Sequence, residues 1–274
     1  MVLVTTTLGF LLGSGNHASF ALLLLTLLGV GGATGGAAVL NNYLERDLDA
    51  KMARTRNRAL PAGLIEPLRA LNLGVGLVLA GVLLLAMAVN LLAGFLVLLA
   101  AFLYVLVYTP LKRVTWWNTT FGALPGAIPP MAGWAAASGH VGPGAWALFA
   151  ILFAWQHPHF FAIAWMFRDD YRAGGFKMLP VIEPSGQRTV RLSVGFSLVL
   201  IAVSVVPTLI GMAGWLYFSG TLVIGLLMLI VALSFARDRS VGNARRLLKA
   251  SVLYLPLLLL FIILDAGLKP FGGL

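Results

Sequence analysis

The chain has no cysteine, and only nine of its 274 residues are acidic. The first absence excludes disulfides, thiolate nucleophiles and thiolate-held metals. The second, set beside 19 Lys plus Arg, leaves 10% of residues charged against 60% hydrophobic, with a net charge of +10. Soluble domains carry about a quarter charged residues, so this composition, with a mean hydropathy of +0.95, belongs to a membrane protein. Strand-like alternation is missing too: the apolar runs are continuous and rich in Leu, Ala and Gly, which argues against a β-barrel. In a soluble protein the basic excess would raise the question of nucleic acid. Here basic loops on the cytoplasmic side of a bilayer account for it, and no nucleic-acid partner is expected.

Apolar runs long enough to cross the hydrocarbon core, about 20 residues, fall near 18–40, 68–89, 91–109, 118–138, 144–166, 190–213, 215–236 and 250–268. A ninth, from Val2 through Phe10 to Gly13, is shorter and begins at the initiator Met. No basic residue precedes it, which argues against a cleaved signal peptide, and its start reads as clipped. The expectation is an all-α polytopic membrane protein, a bundle of nine transmembrane helices forming one integral-membrane domain over 1–274.

The basic residues orient it. The segments 41–69, 110–117, 167–191 and 237–249, every second connection between the nine helices, hold 18 of the 19 Lys and Arg. The alternate connections, around Asn16, Asn90, Gly139 to Pro143 and Gly214, hold none, and only Lys269 lies opposite. The positive-inside rule then puts the N-terminus and the charged loops in the cytoplasm and the C-terminus outside. Eight of the nine acidic residues share the charged loops, with Asp265 the outlier. No helix carries a charge at its middle, which weakens ion pumps and proton-coupled transporters. A site would open at the cytoplasmic surface.

The first charged segment, Asn41-Asn42-Tyr43-Leu44-Glu45-Arg46-Asp47-Leu48-Asp49, continues the second helix. Asn41, Glu45 and Asp49 fall at i, i+4 and i+8, with Asn42 beside them, so one face presents amide and carboxylate oxygens. Oxygen-only ligands suit Mg²⁺. Arg54, Arg56 and Arg58 follow, suited to gripping a phosphate. The set fits a diphosphate held through Mg²⁺ and clamped by arginines; it equally fits a solvated loop with local salt bridges.

The recipe recurs in Arg168-Asp169-Asp170-Tyr171-Arg172, followed by Gly174-Gly175-Phe176-Lys177. Two half-sites four helices apart can face each other across a bundle, a spacing that hints at a parallel repeat of four-helix units. Lys112 and Arg113 add two cations on the same side, although the positive-inside rule alone leaves such pairs. His157 and His159 lie inside an apolar helix, where polar groups are costly. Residues two apart face opposite ways, so they form no chelating pair. His159 and Asp170, eleven residues apart, share a face if the helix persists. His159 would then look into the same cavity as a porphyrin contact, or else is a hydrogen-bonded structural histidine. The seven tryptophans fall mostly near helix ends, as interfacial anchors do.

The run from Asn41 to Gly63 resembles the first signature of the UbiA superfamily of intramembrane aromatic prenyltransferases. Four more blocks, Tyr108 to Arg113, Gly126 to Pro130, Trp155 to Phe160 and Asp169 to Pro180, resemble its haem-farnesylating branch, and the likeness runs from about residue 3 to about 265. The resemblance implies a central cavity open to the cytoplasmic side of a prokaryotic cell membrane. It implies transfer of farnesyl from farnesyl diphosphate to a vinyl group of protohaem IX (haem B), giving haem O for terminal oxidases. By position Asn42, Glu45 and Asp49 would hold one Mg²⁺ and Asp169 and Asp170 a second, these five also being the catalytic set. Arg54, Arg58, Lys112, Arg113, Arg172 and Lys177 would bind diphosphate and His159 the haem. Haem B, farnesyl diphosphate and the lipid bilayer are the implied partners, with haem A synthase a candidate one. Two departures, Asn42 where the superfamily usually has Asp and Met166 where it often has Asp, look usual for this branch. The rivals are prenylation of a quinone or chlorophyll precursor, and a transporter for haem or an anionic lipid. Members usually carry a basic segment before the first helix; this chain starts without one, which implies a truncated start.

Overall fold

In lipid a chain must satisfy its backbone hydrogen bonds internally, and long Leu/Ala/Gly runs do so as helices. The computed structural model describes residues 1–15 and 17–268, with side chains as far as 265; Asn16 and Lys269, noted above, lie outside the described residues. The helices are α1 (Val2–Ser14), α2 (Phe20–Asp49), α3 (Pro67–Ala88), α4 (Leu91–Phe102), α5 (Thr109–Val114), α6 (Asn118–Ser138), α7 (Pro143–Met166), α8 (Arg168–Ala173), α9 (Leu179–Ile182), α10 (Gln187–Ser204), α11 (Val206–Leu209), α12 (Trp215–Arg237) and α13 (Val241–Leu268). A π-helical turn, Leu103–Tyr108, joins α4 to α5. No strand occurs among the described residues.

Seven of these segments are long and apolar enough to span a membrane, which makes this a multi-pass membrane protein. The expected nine differ at two places. Val2–Ser14 has only 13 residues. α6, at the length expected, is too rich in Pro, Gly and polar residues to count by apolarity. It contains Pro125, Pro129 and Pro130 and is largely buried, packed between α1, α4 and α7. A helix covered by other helices has no need of lipid-facing apolar side chains, so hydropathy understates it.

Helices cross tightly where glycines let backbones meet. A Cβ added to Gly36 of α2 would come 2.6 Å from the Gly74 carbonyl oxygen of α3. That close approach, the small-residue mode of membrane helix packing, fixes α2 against α3. At 30 residues α2 is about 45 Å long, more than the hydrocarbon needs, so its last turns project beyond the apolar belt and carry Asn41 to Asp49 with them. The four charged segments gather at one end of the bundle. The Lys177 amide donates to the Lys112 carbonyl at 2.7 Å, and the Trp165 indole donates to the Arg239 carbonyl at 2.9 Å. At the other end Asp265 accepts from the Gly214 and Tyr217 amides, capping α12, which accounts for the one acidic residue away from the charged loops.

Candidate active site

Along α2 the buried positions include Val30, Ala33, Ala37, Asn41, Glu45 and Asp49. The face that packs the core thus continues upward as the polar face, and the register set by Ala33 and Ala37 aims the two carboxylates inward. Burying a carboxylate is costly unless it is paired. Glu45 is paired with Lys112 of α5, whose ammonium lies 2.8 Å from Oε1 and 3.0 Å from Oε2. Asp49 is paired with Arg58, whose Nη1 donates to Asp49 Oδ2 at 2.7 Å and to Asn42 Oδ1 at 3.1 Å. Each of two carboxylates one turn apart therefore has its own cation, Lys112 from another segment and Arg58 from the loop that follows α2.

Asn41 lies among these groups and was grouped with them by helical spacing alone. Its Nδ2 donates to Thr109 Oγ1 at 2.9 Å, and Thr109 Oγ1 donates to the Tyr104 carbonyl at 2.9 Å. This chain of bonds braces the π-helical turn, a device common at functional sites. The wide turn keeps Tyr104, Tyr108 and Lys112, four residues apart, on the site's side. Lys112 Nζ stands 4.5 Å above the Tyr108 ring. The i, i+4, i+8 spacing of Tyr104, Tyr108 and Lys112 was the signal that could have found the two tyrosines.

Beneath lies a cavity of about 430 Å³, lined mainly by apolar groups from Val97, Ala101, Ile128, Phe160 and Met178, with Thr34, Gln156, Tyr104, Tyr108 and Thr119 among its polar points. Gln156 is held by bonds from Nε2 to the Ala123 and Leu152 carbonyls, at 3.0 and 3.1 Å. Arg54 and Tyr171, from the two acidic segments, share the lining, and Arg54 Nη2 donates to the Tyr171 hydroxyl at 3.4 Å. Met52, Phe176 and Met178 pack together below them. The two segments, read as half-sites, do meet over one cavity.

The second acidic pair is disposed differently. α7 ends at Met166, Phe167 departs from helical geometry, and α8 begins at Arg168. Asp169 is exposed and paired with Arg172 at 2.7 Å, Asp170 is half-buried, and Lys177 is exposed. The break also means that His159 and Asp170 share no continuous helix. The expectation that His159 looks into the cavity is corrected: Gln156, Phe160 and Ile163 line it, while His159 turns to α13, with Nδ1 2.8 Å from Ser251 Oγ. Ser251 Oγ also lies 2.7 Å from the Leu248 carbonyl, so it links His159 to the α13 backbone. His157 is engaged at both nitrogens, by the Phe153 carbonyl at 2.8 Å and Thr120 Oγ1 at 3.2 Å, and stacks on Phe196. Arg113 also departs: its guanidinium donates to the Leu44 carbonyl at 2.7 Å, beside Lys112 but away from Glu45. Trp117, Trp146 and Trp215 are exposed, as anchors are, but Trp155 and Trp165 are buried and hydrogen-bonded.

Among the described residues no three His, Asp or Glu side chains converge on one point as a ready metal site. The donor chemistry nevertheless suits Mg²⁺. Asn42, Glu45 and Asp49 supply only oxygens, within two helical turns, and each carboxylate is neutralised by a cation that an incoming phosphate could draw off.

The UbiA prenyltransferase family matches residues 2–261 of the chain. A protohaem IX farnesyltransferase of Salinibacter ruber is 48% identical over 97% of this chain and 94% of that protein. A solved digeranylgeranylglyceryl phosphate synthase superposes with a TM-score of 0.82, covering 97% of this chain and 92% of the other at 16% identity. A UbiA homologue from Archaeoglobus fulgidus, bound to DMAPP and Mg²⁺, gives 0.68 over 96% and 94% at 18% identity.

Proposed function

The chain belongs to the UbiA prenyltransferase family, and on that premise we propose that it transfers farnesyl from farnesyl diphosphate to a vinyl group of haem B, making haem O. The observation that carries this reading is the meeting of two charged segments, through Arg54 and Tyr171, over a cavity with a mainly apolar lining. The name of the Salinibacter ruber relative supplies the acceptor. The concentration of Lys and Arg at the charged end supports reading it as the cytoplasmic end, with the N-terminus inside and the C-terminus outside.

Asn42, Glu45 and Asp49 would hold one Mg²⁺ and Asp169 with Asp170 a second, in keeping with the Mg²⁺ bound by the Archaeoglobus fulgidus homologue. Bound there, the metal offsets the negative charge that develops on the departing diphosphate. Arg54, Arg58 and Lys112 grip that diphosphate, with Arg172 and Lys177 at the rim. Arg113 faces outward and takes no part. As Lys112 and Arg58 turn to the phosphates, Glu45 and Asp49 are released from their ion pairs. The allylic C–O bond breaks above the cavity, whose apolar walls exclude water and whose Tyr104 and Tyr108 rings face the electron-poor carbon. The vinyl carbon of haem supplies the electron pair for the new C–C bond. Water then adds to the adjoining carbon and loses a proton, leaving a hydroxyethyl group. His159 would meet haem only at the α7–α13 flank, through Nε2. A haem A synthase is the candidate neighbour to take up the product.

The test is a product assay on membranes containing this chain, given haem B, farnesyl diphosphate and Mg²⁺. A haem heavier by farnesyl plus water, absent with a chelator, is expected. Unchanged haem from a folded protein that prenylates a quinone precursor instead would overturn the acceptor.

A further inference from the structure

Outside the site, the sharpest unexplained feature is a second concavity, on the flank of the bundle between α2, α3 and the π-helical turn. It is a groove of about 330 Å³, walled by Leu40, Leu44, Val75, Val78, Leu98 and Val105. Its wall is apolar throughout, apart from Tyr43 at one end. Leu98 and Val75 are themselves exposed, so the groove opens to the side of the protein that faces lipid. From Leu71 to Val78 it follows α3 for about 10 Å, the reach of part of one acyl chain.

What distinguishes this groove from ordinary lipid-facing surface is its charged end. Two arginines are fastened to the backbone of residues that form its mouth. Arg46 Nη1 donates to the Tyr43 carbonyl at 2.8 Å, with its guanidinium 4.6 Å from the Tyr43 ring. Arg113 Nη2 donates to the Leu44 carbonyl at 2.7 Å. Each bond uses one of five guanidinium N–H donors, and Arg46 also forms an ion pair through Nε with Asp47 at 3.7 Å. Asp47 is strongly exposed, so the pair is a weak competitor for a phosphate. The two cations are thus held on the carbonyls of Tyr43 and Leu44, adjacent residues that both line the apolar slot. Arg113, adjacent in sequence to the lysine that pairs with Glu45, is turned away from the site to take this position.

We propose that the groove is a binding site for one anionic phospholipid, its phosphate between Arg46 and Arg113 and one acyl chain along α3. Guanidinium forks match phosphate oxygens bidentately, and the bonds to Tyr43 and Leu44 hold them in place before the lipid arrives. Because Tyr43 and Leu44 lie on α2 between Asn42 and Glu45, the bound lipid stiffens the helix that carries the acidic face.

Native mass spectrometry of the full chain, released from detergent with equal amounts of phosphatidylglycerol and phosphatidylcholine, tests this. Wild type is expected to retain a single phosphatidylglycerol, preferred about tenfold, equivalent to about 1.4 kcal/mol. In R46Q/R113Q the preference falls to near one. In Val75→Trp, which fills the groove and keeps both arginines, retention of phosphatidylglycerol is lost. The pair R245Q/R246Q on α13 removes the same charge elsewhere and leaves the preference intact. Equal loss in R46Q/R113Q and R245Q/R246Q would mean general electrostatic attraction and overturn the site. Unaltered retention in Val75→Trp would overturn the groove, and displacement of the lipid by stoichiometric farnesyl diphosphate would overturn the occupant. Should the arginine pair fail to fold, Val75→Trp alone decides.

Discussion

Glu45 and Asp49 are all but sealed from solvent and each is locked to a cation, whereas Asp169 is largely exposed and paired only with its neighbour on the same short helix. Both segments have the same ingredients, an acidic pair with arginines and a lysine nearby. The difference lies in what carries them. The first is the tail of a 30-residue helix whose core-facing register runs on into the polar residues. The second follows a break at Phe167 and sits on a six-residue helix with no buried position of its own. Burial ties the first segment's carboxylates into the packing of the bundle, while Asp169 of the second stays in contact with solvent.

Lys112→Met should separate the two most. It strands the Glu45 carboxylate, and stranding a buried charge costs about 3–5 kcal/mol, to be read as a large fall in unfolding midpoint in detergent. A variant as stable as the wild type would break the contrast. Asp49→Asn comes next: it keeps the shape but removes charge from the oxygen face, and farnesylated haem should drop about 100-fold. The same change at Asp169 should cost less, because its carboxylate already faces water.

Thr109→Val sharpens the comparison from the tyrosine side. It leaves the Asn41 amide without its acceptor and the Tyr104 carbonyl without its donor, about 1–3 kcal/mol of stability. Tyr104, Tyr108 and Lys112 lose their brace, so kcat should fall more than KM rises in a steady-state assay. The smallest effect is expected from Arg172→Gln. An exposed pair is worth about 0–1 kcal/mol and is screened by salt, so the thermal midpoint should hardly move, and any change should vanish at 1 M salt. A loss matching that of Lys112→Met would show that α8 is buried in the working protein.

Much of this was legible in the chain. Hydropathy located the spans because each must present about 20 apolar residues to lipid, and α6 was found at the expected 118–138 although it is not apolar enough to count as a span and is largely buried. Helical spacing put Asn41, Glu45 and Asp49 on one face, and all three are buried. Spacing misled at His159, where carrying the period past Phe167 assumed a helix that stops. It was silent on Arg113, because which way a long side chain turns depends on which carbonyl a neighbouring helix offers.

By itself, then, the sequence determined that the chain lives in a membrane, which end of its helices is charged, and which residues of α2 look inward. Periodicity and hydropathy are local properties, written every few residues. Only the tertiary structure decided which cation neutralises which carboxylate, that Arg54 meets Tyr171 across 117 residues, and that a π-helical turn held by Asn41 aims two tyrosines at the cavity. Most of those pairings join distant segments. They depend on how closely glycines such as Gly36 let the helices approach, a distance that no single stretch of sequence contains.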